Sequence, residues 1–419
     1  MTAEGHSPGR AWTIALVLVA GWLVSAQVGK VSPALPLVRA DLGLSLVQAG
    51  WVATSINLVT ATLGVAFGLM AARLGGRSAL LAGLLFLTLG SLLGSLAPDG
   101  RLLIGSRTLE SVGFVLVAVA GPTLLAAVLG DDTRRRRLWL IVWSCYMPIG
   151  MSLMMLLAPL VLEAAGWRGL WIVNALLLGL LTVIAVSQRS RLPGVGGTAR
   201  GIGSLGEGLR LPGAWLMGFC FGCYSAIWFM LIVWLPSFAV DEMGLSLRAA
   251  AWLTAVAVMG NIGGNLLAML VPPRVPRALV LAGGLVLIGS LGWMVFSDGF
   301  PPLARSVAAI VACGVSGIVP ATIFAGLPAH VRRTAQLPIA NGIAVQCANL
   351  GALTGPPAIA AIVTVFGGWH AGRWLIPAVA CLGLAGALAL RVIERRQRRA
   401  SEGRDGGESF VAASEEVQR

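Results

Sequence analysis

Charge is scarce in this chain. Of its 419 residues 11% are charged, two are tyrosine, three are histidine, and a single lysine, Lys30, stands among thirty basic residues. With 57% of residues hydrophobic and a mean hydropathy of +0.87, a water-soluble fold would lack the polar surface to cover its apolar side chains. The six cysteines (Cys145, Cys220, Cys223, Cys313, Cys347, Cys381) fall inside apolar runs. There they read as small core residues and imply neither disulfides nor a redox compartment. His6, His330 and His370 fall in loops or the tail, so Gly314-x-Ser316-Gly317 has no base within reach to act as an intramembrane hydrolase. Cys220-x-x-Cys223 has no further ligands, and Gly201-x-Gly203-x-x-Gly206 follows no strand. No metal, cofactor or ATP-binding loop is expected.

What the chain has is long apolar runs, each of about 20 residues or more, enough to cross ~30 Å of hydrocarbon as helices. Twelve spans are expected, near 12–37, 46–70, 78–97, 102–129, 138–162, 170–187, 213–238, 250–270, 278–297, 303–328, 337–366 and 373–391. The net charge of +13 does not point to nucleic acid, because the arginines sit in alternate loops. Even-numbered loops and both tails hold 22 basic residues and odd-numbered loops hold six. That bias predicts a multi-pass protein of the cytoplasmic (inner) membrane with both termini in the cytoplasm.

The chain also repeats. Gly43-Leu44-Ser45-Leu46 recurs as Gly244-Leu245-Ser246-Leu247, with Trp51 matching Trp252 and Arg73 matching Arg274. Pro122 recurs as Pro320 and Arg134-Arg135 as Arg332-Arg333. Six spans per copy, an even number, give both copies the same orientation. The fold class is thus an all-α integral membrane protein with two parallel six-helix repeats. Residues 1–187 form one bundle and 213–393 the other. Residues 188–212 make a cytoplasmic linker, and 394–419 a tail expected to be disordered. Pro33, Pro122, Pro148, Pro320, Pro356 and Pro357 mark expected kinks.

The loop Gly68 to Arg77, GLMAARLGGR, resembles the signature loop of the major facilitator superfamily, in which a Gly precedes an Asp-Arg pair, a Gly and basic residues. Gly68, Arg73, Gly75 and Arg77 match this gating loop; Ala72 stands where the family has Asp, and Gly76 at a basic position. LLIGSRTLESVG, around Arg107, is similar to the family's second signature, whereas span five lacks the Gly-Pro-x-x-Gly-Gly pattern of proton-driven drug antiporters. KVSPALP in span one and QCANLGALTGPP in span eleven are most similar to cyanate-permease-like members. The resemblance implies a secondary transporter working by alternating access, with two bundles rocking about a site near the bilayer middle. It also makes spans three, six, nine and twelve peripheral.

Three charges fall at membrane depth, Lys30, Arg107 and Glu110. Each costs at least ~2.5–3.5 kcal/mol on insertion scales, so such residues are usually paired or functional. Lys30 lies roughly 10 Å inward of Leu37, and Arg107 roughly 9 Å inward of Arg101, at ~1.5 Å per residue. The expectation is a cationic pocket for a small anionic substrate, with Glu110 as the proton-coupling group. Two alternatives stay open: Lys30 snorkels to the outer interface, or Arg107 and Glu110 form a structural pair on one face of span four. Gln27, Asn57, Tyr146, Tyr224, Trp228, Asn261, Asn265, Asn341, Gln346 and Asn349 complete the substrate-binding candidates. Asn174 is the one amide on a peripheral span. Uptake of a small anion, coupled to H+, is the expected function of a monomer in the lipid bilayer. Efflux of lipophilic or drug-like compounds is the alternative, and a membrane-embedded enzyme a remote one.

Overall fold

The computed structural model describes residues 8–130, 132–194, 210–272, 274–331, 333 and 336–417. Some helical side chains, including Arg73 and those beyond Arg396, lie outside the description. Most of the linker, with Gly201, Gly203 and Gly206, also lies outside it, as does Arg332.

The first half runs α1 (Pro8–Gly29), α2 (Val31–Leu42), α3 (Leu46–Thr54), α4 (Leu58–Leu74), α5 (Gly76–Ser95), α6 (Gly100–Leu129), α7 (Thr133–Ser144) and α8 (Tyr146–Ser187). The second runs α9 (Pro212–Met243), α10 (Leu247–Leu267), α11 (Arg277–Val295), α12 (Pro302–Val315), α13 (Ile318–Gly326), α14 (Leu337–Phe366), α15 (Trp369–Gly372) and α16 (Leu375–Val417). Eleven helical stretches among the described residues are long and apolar enough to cross a membrane.

The twelfth crossing is hidden in α8. A straight helix of 42 residues would reach ~63 Å, about twice the hydrocarbon thickness. Instead the backbone departs from helix at Gly166 (φ 65°, ψ −171°). Beyond that point Asn174 Nδ2 returns to 3.8 Å from Met154 Sδ, although twenty positions of straight helix would separate them by ~30 Å. Gly supplies the positive φ that the reversal needs.

The repeated GLSL encodes the same corner twice. Gly43 (φ 61°) and Gly244 (φ 66°) end their helices in the left-handed region. Two residues later Ser45 and Ser246 cap the next helix, accepting hydrogen bonds from Gln48 N and Ala249 N. A left-handed C′ glycine followed by a serine N-cap satisfies the orphan groups of both helix ends.

Three expected proline kinks are helix breaks, and each lies four residues before its proline. A proline cannot donate to the i−4 carbonyl and its ring crowds it. Pro33 thus ends α1 at Gly29, Pro148 ends α7 at Ser144, and Pro320 leaves Ser316 outside both α12 and α13. Pro122, Pro356 and Pro357 differ: α6 and α14 run unbroken through them. Span two breaks without proline, through a 3-10 turn at Ser55–Asn57. The Ser55 hydroxyl there bonds the Trp51 carbonyl, and such back-bonding bends helices.

Beyond the twelfth expected span α16 continues as helix to Val417. Residues 388–400 are mostly Leu, Ala, Arg, Glu and Gln without Gly or Pro. Such strong helix formers extend a helix already nucleated in the membrane.

Close contact between α9 and α14 is allowed by glycine, since a Cβ at Gly351 would stand 2.0 Å from Gly222 O. Several hydrogen bonds join the two halves at the end away from Pro8 and Ser187. There Ser32 bonds Val233 O (3.0 Å), Thr54 bonds Leu353 O (2.9 Å) and Ser152 bonds Ala255 O (3.0 Å). Arg248 pairs with Glu163, its Nε 3.1 Å from Oε1. Nearer the other end, Gln346 Nε2 reaches Thr62 O at 3.2 Å.

Candidate functional site

The break before Pro33 positions the site. Lys30 occupies the turn between α1 and α2, its N–H still bonded to Ala26 O at 2.8 Å. Its side chain enters the first half, where Nζ donates to Gln27 Oε1 (2.7 Å), Ser91 Oγ (2.9 Å) and Glu110 Oε1 (2.8 Å). It also lies 4.6 Å from the centre of the Trp171 ring. Glu110 is one turn from Arg107 on α6, and its other oxygen accepts from Arg107 Nη1. Arg107 further donates to Gln27 O (2.7 Å) and, through Nε, to Val52 O (3.3 Å).

One carboxylate therefore serves two cations, and all three groups are 0% exposed. Removing each charge from water costs several kcal/mol, offset only by close partners and satisfied lone pairs. The hydrogen-bond capacity is nearly full. Gln27 Nε2 donates to Asn174 Oδ1 (2.9 Å), and Ser91 Oγ to Trp171 O (3.1 Å). Arg107 Nη2 and Trp171 Nε1 are buried donors without a hydrogen-bond partner. With all three ionised, the cluster carries a net charge of +1.

Lys30 does not snorkel, because its ammonium is anchored inside. The expected Arg107–Glu110 pair forms, and Lys30 joins it. Neither cation faces solvent; the two expected to form a cationic pocket are joined by Glu110 in a closed ion triad. The reason is Glu110, whose two oxygens engage both cations.

A second cluster lies in the other half. Asn261 Nδ2 donates to Tyr224 Oη (3.0 Å) and Cys313 O (2.9 Å), and Asn265 Nδ2 to Asn261 O (2.8 Å). The gap between α12 and α13 puts Gly317 so near α10 that a Cβ would sit 2.3 Å from Asn261 O. Phe221 stacks on Tyr224 at 6.1 Å and meets Phe324 at 5.6 Å.

The remaining candidates do not converge. Asn57 bonds its own turn at Thr54 O (3.2 Å), and Asn349 bonds Val345 O (2.8 Å). Tyr146 stacks on Trp143 (4.6 Å), and Trp228 packs edge-on to Phe229 (5.3 Å). Asn341 is half-buried. In the signature loop Gly75 has φ 78° and Arg77 donates to Leu192 O; the side chains around Gly68 and Arg73 lie outside the description.

Sequence reasoning missed Ser91, Trp171 and Asn174, which come from spans assigned to the periphery. Asn174 was the signal, an amide where apolar residues suffice. Arg305, near the start of the tenth expected span, is also buried at 5% exposure, bonded to Val295 O (3.0 Å) and stacked on Phe238 at 4.8 Å.

Comparison with known proteins follows the fold. The chain is 26% identical over 194 residues to the methylenomycin A resistance protein of Bacillus subtilis (strain 168), covering 46% of this chain and 41% of that one. It is 34% identical over 164 residues to the cephamycin export protein CmcT of Amycolatopsis lactamdurans, covering 39% and 34%. The chain spans less than half the length of these curated relatives. A bacterial homologue of the human lysosomal transporter Spinster, in an inward-facing unoccupied conformation, superposes with a TM-score of 0.76 at 15% identity, over 93% of this chain and 98% of that one. The family model of the Major Facilitator Superfamily matches residues 17–337, and with twelve crossings and the paired GLSL corners in place, the chain belongs to that superfamily of membrane transporters.

Proposed function

We propose that this protein exports a lipophilic, drug-like compound by alternating access across the cytoplasmic membrane, in exchange for protons carried by Glu110. The observation that carries the reading is the single carboxylate held between two fully buried cations. Protonating Glu110 would raise the cluster from +1 to +2 in a fully buried setting. That state is costly enough to drive rearrangement. A route to the bundle interface exists: Arg107 holds the Val52 carbonyl, and two residues on, Thr54 bonds Leu353 of the other half. The Tyr224, Phe221 and Phe324 wall suits an apolar substrate. The resistance and export names of the relatives support the same direction. The charge bias supports a cytoplasmic location for the arginine-rich end.

A second reading, uptake of a small anion, rests on Arg107 Nη2, a buried donor without a partner that an anionic group would satisfy. Inverted membrane vesicles separate the two. Export predicts pH-gradient-driven accumulation of lipophilic compounds that is lost in Glu110→Gln. Anion uptake predicts that small anions compete in the same assay and that Arg107→Gln abolishes the competition. Accumulation by neither route in wild-type vesicles, across both compound classes, would overturn the export reading.

A further inference from the structure

A cavity of about 370 Å³ opens in the second half where α10 and α13 end, α11 begins and α16 passes, and it includes Arg277, His330 and Glu394 in its lining. The volume falls within the ~300–1,000 Å³ of ordinary small-molecule sites. The His330 side chain is 1% exposed, and neither of its ring nitrogens has a hydrogen bond. Glu394 Oε1 is likewise unpaired by hydrogen bonding and lies 3.6 Å from His330 Nε2. Buried polar atoms without partners are uncommon, and where they line a cavity they mark a place for a ligand. His330 Nδ1 lies against Gly213 of α9, which leaves Nε2 and Glu394 Oε1 as the groups at the cavity. Arg277 brings a positive charge as the first residue of its helix.

Apart from Thr322, the other lining side chains are apolar, including Val271, Val275 and Val280. Beside the mouth, Met269 and Leu270 are 73% and 77% exposed, which in a membrane means facing acyl chains. The site thus lies at headgroup depth on the arginine-rich end, with one cation, one carboxylate and an imidazole on a hydrophobic floor. From this geometry we infer that it binds the headgroup of a phospholipid bearing a primary ammonium. The phosphate is held by Arg277 and His330, and the ammonium by Glu394. An ammonium donates hydrogen bonds to a carboxylate, whereas a quaternary trimethylammonium cannot.

The test uses the purified full-length protein and native mass spectrometry with equimolar phosphatidylethanolamine and phosphatidylcholine. Wild type should retain the ethanolamine lipid about tenfold over the choline lipid, the weight of one charge-assisted hydrogen bond. Glu394→Gln should equalise the two, and Arg277→Gln should lower both. Val280→Trp fills the cavity while leaving Arg277, His330 and Glu394 in the sequence, and should also remove the preference. Equal retention in wild type would overturn the proposal, as would a preference unchanged in Glu394→Gln and Val280→Trp. A thermal shift produced by inorganic phosphate alone, and lost in Arg277→Gln, would assign the site to a free phosphate and remove the lipid. Each variant is compared with its own lipid-free melting curve, so a folding defect shows as a lowered baseline and not as lost selectivity.

Discussion

Replacing Glu110 by Gln is the most informative single change to the buried triad. The substitution keeps the volume but leaves Lys30 and Arg107, both 0% exposed, with no opposing charge. Breaking a buried ion pair in this way costs about 3–5 kcal/mol, because the stranded charge keeps its desolvation penalty. Lys30→Gln is milder: it leaves the Arg107–Glu110 pair neutral overall and removes one donor from Gln27, Ser91 and Glu110. That loss is worth about 1–3 kcal/mol. At ~2.1 cal/mol/K per residue over 419 residues, the first change lowers the melting temperature by roughly 3–6 °C and the second by roughly 1–3 °C. The assay is thermal unfolding of purified protein in detergent, with all variants at one pH and ionic strength. A Glu110→Gln protein melting at the wild-type temperature would refute the reasoning. So would a Lys30→Gln protein less stable than Glu110→Gln, since net charge then would not govern the cluster.

Other outcomes follow from the same geometry. Gly317→Ala puts a methyl group 2.3 Å from Asn261 O, whereas Gly263 has nothing within 4 Å; the first should cost about 1–3 kcal/mol or more and Gly263→Ala almost nothing, as read by melting temperature. Ser32→Ala with Thr54→Val removes hydrogen bonds joining the halves at the end away from the termini, at about 0.5–1.5 kcal/mol each. Spin-label distances across that end should broaden toward longer values. Asp41 accepts from Arg168 and from Trp167 Nε1 (3.0 Å), and those bonds hold its pKa below the ordinary 3.8. Its stabilising effect is therefore present above that value and lost as pH falls through the lowered one; melting curves between pH 3 and 5 should show a slope that Asp41→Asn flattens.

Much of the scaffold was legible because membranes simplify sequence. Apolar runs of bilayer length, arginine asymmetry and the GLSL corners required no knowledge of packing. Lys30, Arg107 and Glu110 were legible too, since charge at lipid depth needs a partner. Helical rise placed the two cations at similar depth. It could not show that Pro33 would break the helix at Gly29 and let Lys30 turn inward to Glu110. Gly166 was illegible for a related reason: one positive φ reverses a 42-residue stretch with no polar loop to announce it. The amides divide into two groups: Gln27, Asn261 and Asn265 join polar clusters, whereas others bond locally. Asn57 and Asn349 satisfy their own helices, a local solution that residue type and span number do not distinguish from lining a cavity.

The central claim is that Glu110 carries the coupling proton. It is tested most directly by loading inverted vesicles with an acid-inside gradient and following accumulation of a lipophilic compound in wild type and Glu110→Gln, with binding of the same compound measured in parallel. The account predicts wild-type accumulation that collapses when a protonophore is added, and a variant that still binds the compound but does not concentrate it. A Glu110→Gln protein that concentrates the compound with the wild-type dependence on pH would contradict it.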